Sequence, residues 1–129
     1  MRRALAGLAL VLAACTGATA PSDGGTACAA VAVAGIKLPL VDSVTNLSGP
    51  FTGGWARARS GTFTDSTTTM LDDPVTGYNA FYLAWSRAGT YDVTIHMNGY
   101  KEWTRSNVVV LQQNACFVST TSMLARLVK

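Results

Sequence analysis

The amino-acid sequence predicts an all-β fold, a sandwich of seven strands in two sheets. Three observations predict it. Tyr91, Val93, Ile95 and Met97 alternate with Asp92, Thr94, His96 and Asn98, the two-residue period of a half-buried strand. About seven such short segments, divided by turn residues, fit in roughly 100 residues. No window after residue 14 carries a convincing helical period of about 3.6 residues.

Residues 1–14 stand apart from this pattern. Met1-Arg2-Arg3 is a basic start, and Ala4 to Ala14 is an unbroken run of small and apolar residues. The run is too short to cross a bilayer as a helix, which takes about 20 residues. It fits the apolar region of an export signal. It ends in Leu12-Ala13-Ala14-Cys15, which resembles the bacterial lipobox. There the cleaving peptidase requires small side chains, and the cysteine thiol receives diacylglycerol. Cys15 is therefore the expected lipidation site, and the membrane, reached through that lipid anchor, the expected partner. The competing reading is an ordinary secretory signal cut near Ala20, which discards Cys15. Thr16 rather than Asp follows the cysteine; under the sorting rule of enteric bacteria this directs the chain to the outer membrane.

Residues 15–26 are read as the lipidated cysteine and a flexible linker. Thr16 to Thr26 is small and polar, with Pro21, Gly24 and Gly25. A linker of that length reaches about 18 Å root-mean-square, so the domain is expected close to the lipid surface.

The domain is read over residues 27–129. Val31 to Val33 with Ile36, Leu38 and Leu40 form the first strand, and Pro39 on the opposite parity predicts a sheet edge. Phe51 to Arg59 and Gly61 to Thr69 are strands rich in Gly and Thr. Tyr78 to Trp85 is aromatic, as strands favour. Asn98-Gly99, directly after the alternating strand, predicts a type I′ hairpin turn. Tyr100 to Thr104, Asn107 to Leu111 and Cys116 to Val128 complete the set.

Composition narrows the chemistry. A chain of 129 residues holds one domain. Without Arg2 and Arg3, ten basic residues fall to eight against seven acidic ones, which excludes a nucleic-acid footprint. One histidine excludes any zinc site built on two, and neither a metal nor a cofactor is expected. Three cysteines cannot all pair. With Cys15 assigned to lipid, Cys28 and Cys116 are the expected disulfide of an oxidising compartment. Two buried free thiols are the alternative. Such a long closed loop adds roughly 4–5 kcal/mol in the chain-entropy model.

The run Ala88-Gly89-Thr90-Tyr91-Asp92-Val93-Thr94-Ile95, then Gly99-Tyr100, then Asn107-Val108-Val109-Val110, then Cys116 and a closing strand, resembles carboxypeptidase regulatory-like domains. More narrowly it is similar to small bacterial lipoproteins built from one such domain, with a cysteine opening the first strand and another opening the last. The resemblance covers about Cys28 to Leu127. It implies a transthyretin-like (prealbumin-like) sandwich and a structural or adhesive role without catalytic residues. The segment Thr45 to Gly61 departs from the pattern, because Asn46 to Pro50 and Gly53-Gly54 replace the usual turn and small strand.

Enzymes on related sandwiches need residues this chain lacks. Hydroxyisourate hydrolases of the transthyretin type use several histidines and a Tyr-Arg-Gly-Ser ending; here His96 is alone and the chain ends Arg126-Leu127-Val128-Lys129. Intradiol dioxygenases hold iron with two Tyr and two His. His96 has outward parity and reads as a solvated surface residue. No Gly-x-Ser-x-Gly elbow occurs. Asp72-Asp73-Pro74 reads as a turn before a calcium or acid–base site, and the Asn46-Leu47-Ser48 sequon carries no meaning in a bacterial chain. Among the aromatics, Trp55, Trp85 and Trp103 with Tyr78, Tyr82 and Tyr100 could form a stacking platform for sugar rings, against core packing as the alternative, and Tyr82, Trp55 and Trp103 are the candidate ligand-binding residues. Tyr82 stands out because its parity opposes Phe81, Leu83 and Trp85. The expected protein is thus a non-catalytic envelope lipoprotein that serves as a structural or protein-interaction module. The second reading is a carbohydrate-binding module for peptidoglycan or a surface glycan, and the third a small-ligand carrier or hydrolase using His96 or the aspartates.

Overall fold

Alternating apolar residues set the inner face of every long strand. The computed structural model describes residues 27–129. The expected targeting segment 1–14, the lipidation candidate Cys15 and the expected linker to residue 26 lie outside the described residues. In chain order the strands are β1 (Ala34–Asp42), β2 (Gly54–Ser60), β3 (Phe63–Thr67), β4 (Leu71–Asp72), β5 (Asn79–Trp85), β6 (Gly89–Met97), β7 (Trp103–Val110), β8 (Thr121–Ser122) and β9 (Ala125–Leu127). They form two sheets, and the described residues contain no helix. One sheet runs β4-β5-β1 with β8 and β9 beyond, and the other runs β3-β2-β6-β7.

The last two segments are one strand with a break. Ile36 faces Thr121 and Leu40 faces Ala125 at the same offset, both in parallel register. Nine segments thus stand where seven strands are expected, because this strand is interrupted and the two-residue β4 is added. The core lies between the sheets. Ile36, Leu38 and Leu40 of β1 and Phe81 and Leu83 of β5 meet Tyr91, Val93, Ile95 and Met97 of β6 and Val108 and Val110 of β7. Ala56 and Ala58 of β2 supply the small side chains beneath these large ones.

Several local expectations change. Val31 is exposed and the first strand begins at Ala34. Pro39 sits in the middle of its sheet, not at an edge. The Lys37 carbonyl accepts the Met123 N–H, so alternate backbone groups of β1 turn toward the C-terminal strand. Pro39, two residues on, faces the break between β8 and β9, where a missing N–H costs no ladder bond. At Asn98-Gly99 only the glycine has positive φ, 82°. A type I′ turn needs both. The Asn98 N–H instead donates to the Gly53 carbonyl, which keeps it in the β2 ladder, and pairing with β7 resumes only at Ile95 and Trp103. Tyr100 to Thr104 and Asn107 to Leu111 are largely one strand rather than two. A bulge opposite Asp92, with Asn107 at φ 57°, takes up the extra residue.

Both ends of β1 are tied. Cys28 and Cys116 form a disulfide with Cα atoms 5.2 Å apart, which joins the segment ahead of β1 to the turn between β7 and β8. At the other end Asp42 is buried. Its Oδ1 accepts the backbone N–H groups of Val44 (2.9 Å) and Thr45 (3.0 Å). Its Oδ2 accepts the Tyr100 hydroxyl from the turn between β6 and β7 at 3.0 Å and lies 3.7 Å from Lys129 Nζ. The Thr45 and Val44 N–H groups, with Tyr100 and Lys129, hold the carboxyl down at about 2, against an ordinary 3.8.

A depressed carboxyl stabilises the fold above its unfolded value and loses that contribution as pH falls toward its folded one. The thermal midpoint is expected to drop as pH is lowered from about 4 to about 2, and Asp42→Asn is expected to flatten that part of the profile. Parallel profiles for the two proteins, recorded by circular dichroism, would remove Asp42 from the acid response.

Candidate functional site

The order of strands leaves β3 at the edge of one sheet and β4 at the edge of the other, on the same flank. β4 covers only Asn79 and Ala80 of β5, so Tyr82 to Trp85 border an open furrow against β3. One cleft there, of about 290 Å³, is lined by Asp65, Ser66, Thr67, Thr69, Leu71, Tyr82 and Trp85. A second, of about 320 Å³, is lined by Trp55, Arg57, Ser66, Thr67 and Thr68. They share Ser66 and Thr67.

A backbone kink makes the first cleft. Ala84 (φ 54°) and Ser86 (φ 51°) are both left-handed, a conformation costing of order 1–2 kcal/mol for a residue with a Cβ. The Ala84 N–H, turned out of the sheet, donates to Asp65 Oδ2 at 2.7 Å. The Ser86 N–H donates to the Val33 carbonyl at 2.7 Å. Gly35 gives the kink room, since a Cβ there would stand 2.8 Å from the Ala84 oxygen. The kink reverses the alternation of β5. Trp85, expected inside with Phe81 and Leu83, is 47% exposed, and its ring centroid lies 6.2 Å from that of Tyr82 at 31° between planes.

Of the sequence-predicted residues, Tyr82 lies in this cleft as its parity requires. Behind it, across the strand pair, Lys37 Nζ meets the buried Asp73 carboxylate at 3.2 Å. Burial, with the Asp73 charge after it, pushes the Tyr82 phenol up. Asp73 forms the turn expected of it: its carboxylate takes the Thr76 hydroxyl at 2.6 Å and the Val75 N–H at 3.3 Å, and first Thr76, then Val75 and Lys37, hold its ionisation down against burial. Trp55 is in the second cleft but half-covered. The His96 ring stacks on it at 5.6 Å and the Arg57 guanidinium lies 4.6 Å from its centroid. Trp103 is elsewhere. It is half-buried against the core, beside Lys101, Glu102, Arg126 and Val128. The three predicted aromatics therefore do not form one row, and the ring beside Tyr82 is that of Trp85, whose parity in an unbroken strand would have turned it inward.

The carboxylates of the furrow are spread rather than paired. Asp65 holds Ala84, Asp73 holds its own turn, and Asp72 is exposed on β4. Among the described residues no three His, Cys, Asp or Glu side chains gather as a metal site. What the furrow offers is stacking surface beside hydroxyls, a carboxylate and a guanidinium. Comparison with protein-family models, curated proteins and solved structures finds no match for this chain.

Asp65→Ala removes the acceptor that holds the kink and is expected to cost about 1–2 kcal/mol in urea unfolding, with faster amide exchange at Ala84. Asp65→Asn keeps an acceptor oxygen and is expected to restore most of it. Unchanged Ala84 exchange in Asp65→Ala would mean that the carboxylate does not hold the kink.

Proposed function

We propose that the chain is a lipid-anchored module of the bacterial cell envelope, a non-catalytic β-sandwich that serves a structural or protein-interaction role. The observation that carries this reading is what the acidic groups do. Asp42 binds Val44, Thr45, Tyr100 and Lys129; Asp65 binds the Ala84 N–H; Asp73 binds Lys37, Thr76 and Val75. Each of these three carboxylates holds backbone or ties strands. His96, exposed on the outer face of the β3-β2-β6-β7 sheet, stacks on Trp55 rather than facing a nucleophile.

The anchor rests on Leu12-Ala13-Ala14-Cys15. The Cys28–Cys116 disulfide supports it, since such bonds persist in exported proteins. It also starts the tied part of the chain only thirteen residues after Cys15, so the sandwich would ride close to the lipid surface, at the outer membrane by the residue after the cysteine. A carboxypeptidase regulatory-like, transthyretin-like topology is the finer form of the proposal. In its support, Gly89 to Ile95 build β6, Gly99-Tyr100 the following turn, and Asn107 to Val110 the end of β7. The partner on this reading is another protein of the envelope.

Radiolabelled palmitate fed to the producing cells tests the anchor. Label is expected in the full chain and absent from Cys15→Ala, which should also leave the membrane fraction. Equal labelling of both would refute lipidation at Cys15.

A further inference from the structure

We propose that the furrow between β3 and the kinked end of β5 is a glycan-binding site, taking two or more linked pyranose units. The proposal names a ligand class for the interaction module and borrows from that reading only its non-catalytic character.

A pyranose ring has one face of C–H groups and a rim of hydroxyls, so its site needs an exposed aromatic face beside groups that both donate and accept. Both are present at the first cleft. Trp85, 47% exposed, and Tyr82 offer two rings inclined by 31°, and Leu71, 51% exposed, extends the apolar floor. Asp65, Ser66, Thr67 and Thr69 line the same cleft, with Asp65 Oδ2 taken by the Ala84 N–H and the Thr67 hydroxyl accepting the Thr69 N–H at 3.1 Å. One cleft of about 290 Å³ stands at the lower limit of small-ligand sites. The adjoining cleft of about 320 Å³ shares Ser66 and Thr67, so a chain of sugars can run from one into the other. There Thr68 adds a hydroxyl, and Arg57, held over Trp55, adds donors.

A peptide added as an extra strand suits the furrow less well. Strand addition uses the free backbone groups of an edge, and on β5 the Ala84 N–H is already taken by Asp65 while Ala84 and Ser86 bend the strand out of register. The same kink that spoils the edge for a peptide is what presents Trp85.

The test is calorimetric titration of the purified full chain with cellohexaose, chitohexaose and muramidase-released peptidoglycan strands. Saturable binding to at least one probe is expected. Trp85→Ala should weaken it by at least about tenfold, or roughly 1.4 kcal/mol, while Trp103→Ala, away from the furrow, should not. Ser66→Ala, which removes an exposed hydroxyl shared by both clefts, should weaken it as well and guards against a folding defect in the tryptophan variant. No saturable binding to any probe, or equal affinity in Trp85→Ala, overturns the proposal and leaves the lipid anchor and a protein partner untouched. Probes recovered at full length support a binding site; shortened probes would overturn the non-catalytic reading instead.

Discussion

Ile36 faces Thr121 and Leu40 faces Ala125, so the first and last strands lie side by side in parallel. This pairing closes the sandwich. It puts β1 in the interior of its sheet, with β5 on one side and the C-terminal strand on the other, and so buries Ile36, Leu38, Leu40 and Val41 together. Bringing opposite ends of the chain together is entropically expensive. The two ties at the ends of β1 offset that cost where it arises. The disulfide restrains the segment before β1, and Asp42 gathers Tyr100 and Lys129 beyond it. The Lys101 N–H adds a bond to the Val128 carbonyl on the same side.

Closure at that flank determines what is left open at the other. The C-terminal strand and β7 cover each other's edges, helped by the Thr121 hydroxyl on the Val109 carbonyl at 2.6 Å. On the opposite flank β4 is only two residues long, so β3 and the end of β5 keep a furrow between them. Asp65 bridges it at one point and holds Ala84 in a left-handed turn. The fold therefore spends one carboxylate to shape a stretch where aromatic rings and hydroxyl-bearing residues come together.

Period-two alternation made the strands legible. The inward set of β6 and the outward parity of Tyr82 follow directly from it, because a buried face penalises any slip of register. The cysteine arithmetic likewise led to the Cys28–Cys116 pair. What alternation could not carry is a break in itself. Ala84 has no feature that marks a left-handed residue, as Gly or Asn would, so Trp85 read as core. Pro39 read as an edge because the gap opposite it belongs to a strand some eighty residues away. The bulge at Asn107 split one strand into two on paper. The half-covered state of Trp55 depends on His96 across the strand pair and Arg57 two residues on, a contact that parity allows but does not require.

Native-state hydrogen exchange tests the role of the parallel pairing most directly. The amides to follow are Met123, bonded to the Lys37 carbonyl, and Ser43, bonded to the Leu127 carbonyl. If this pairing closes the sandwich, both exchange only through global unfolding, with opening free energies within about 1 kcal/mol of those in β6. Exchange of Met123 and Ser43 through a local opening several kcal/mol cheaper, with β6 still protected, would show that the sandwich stands without its last strand.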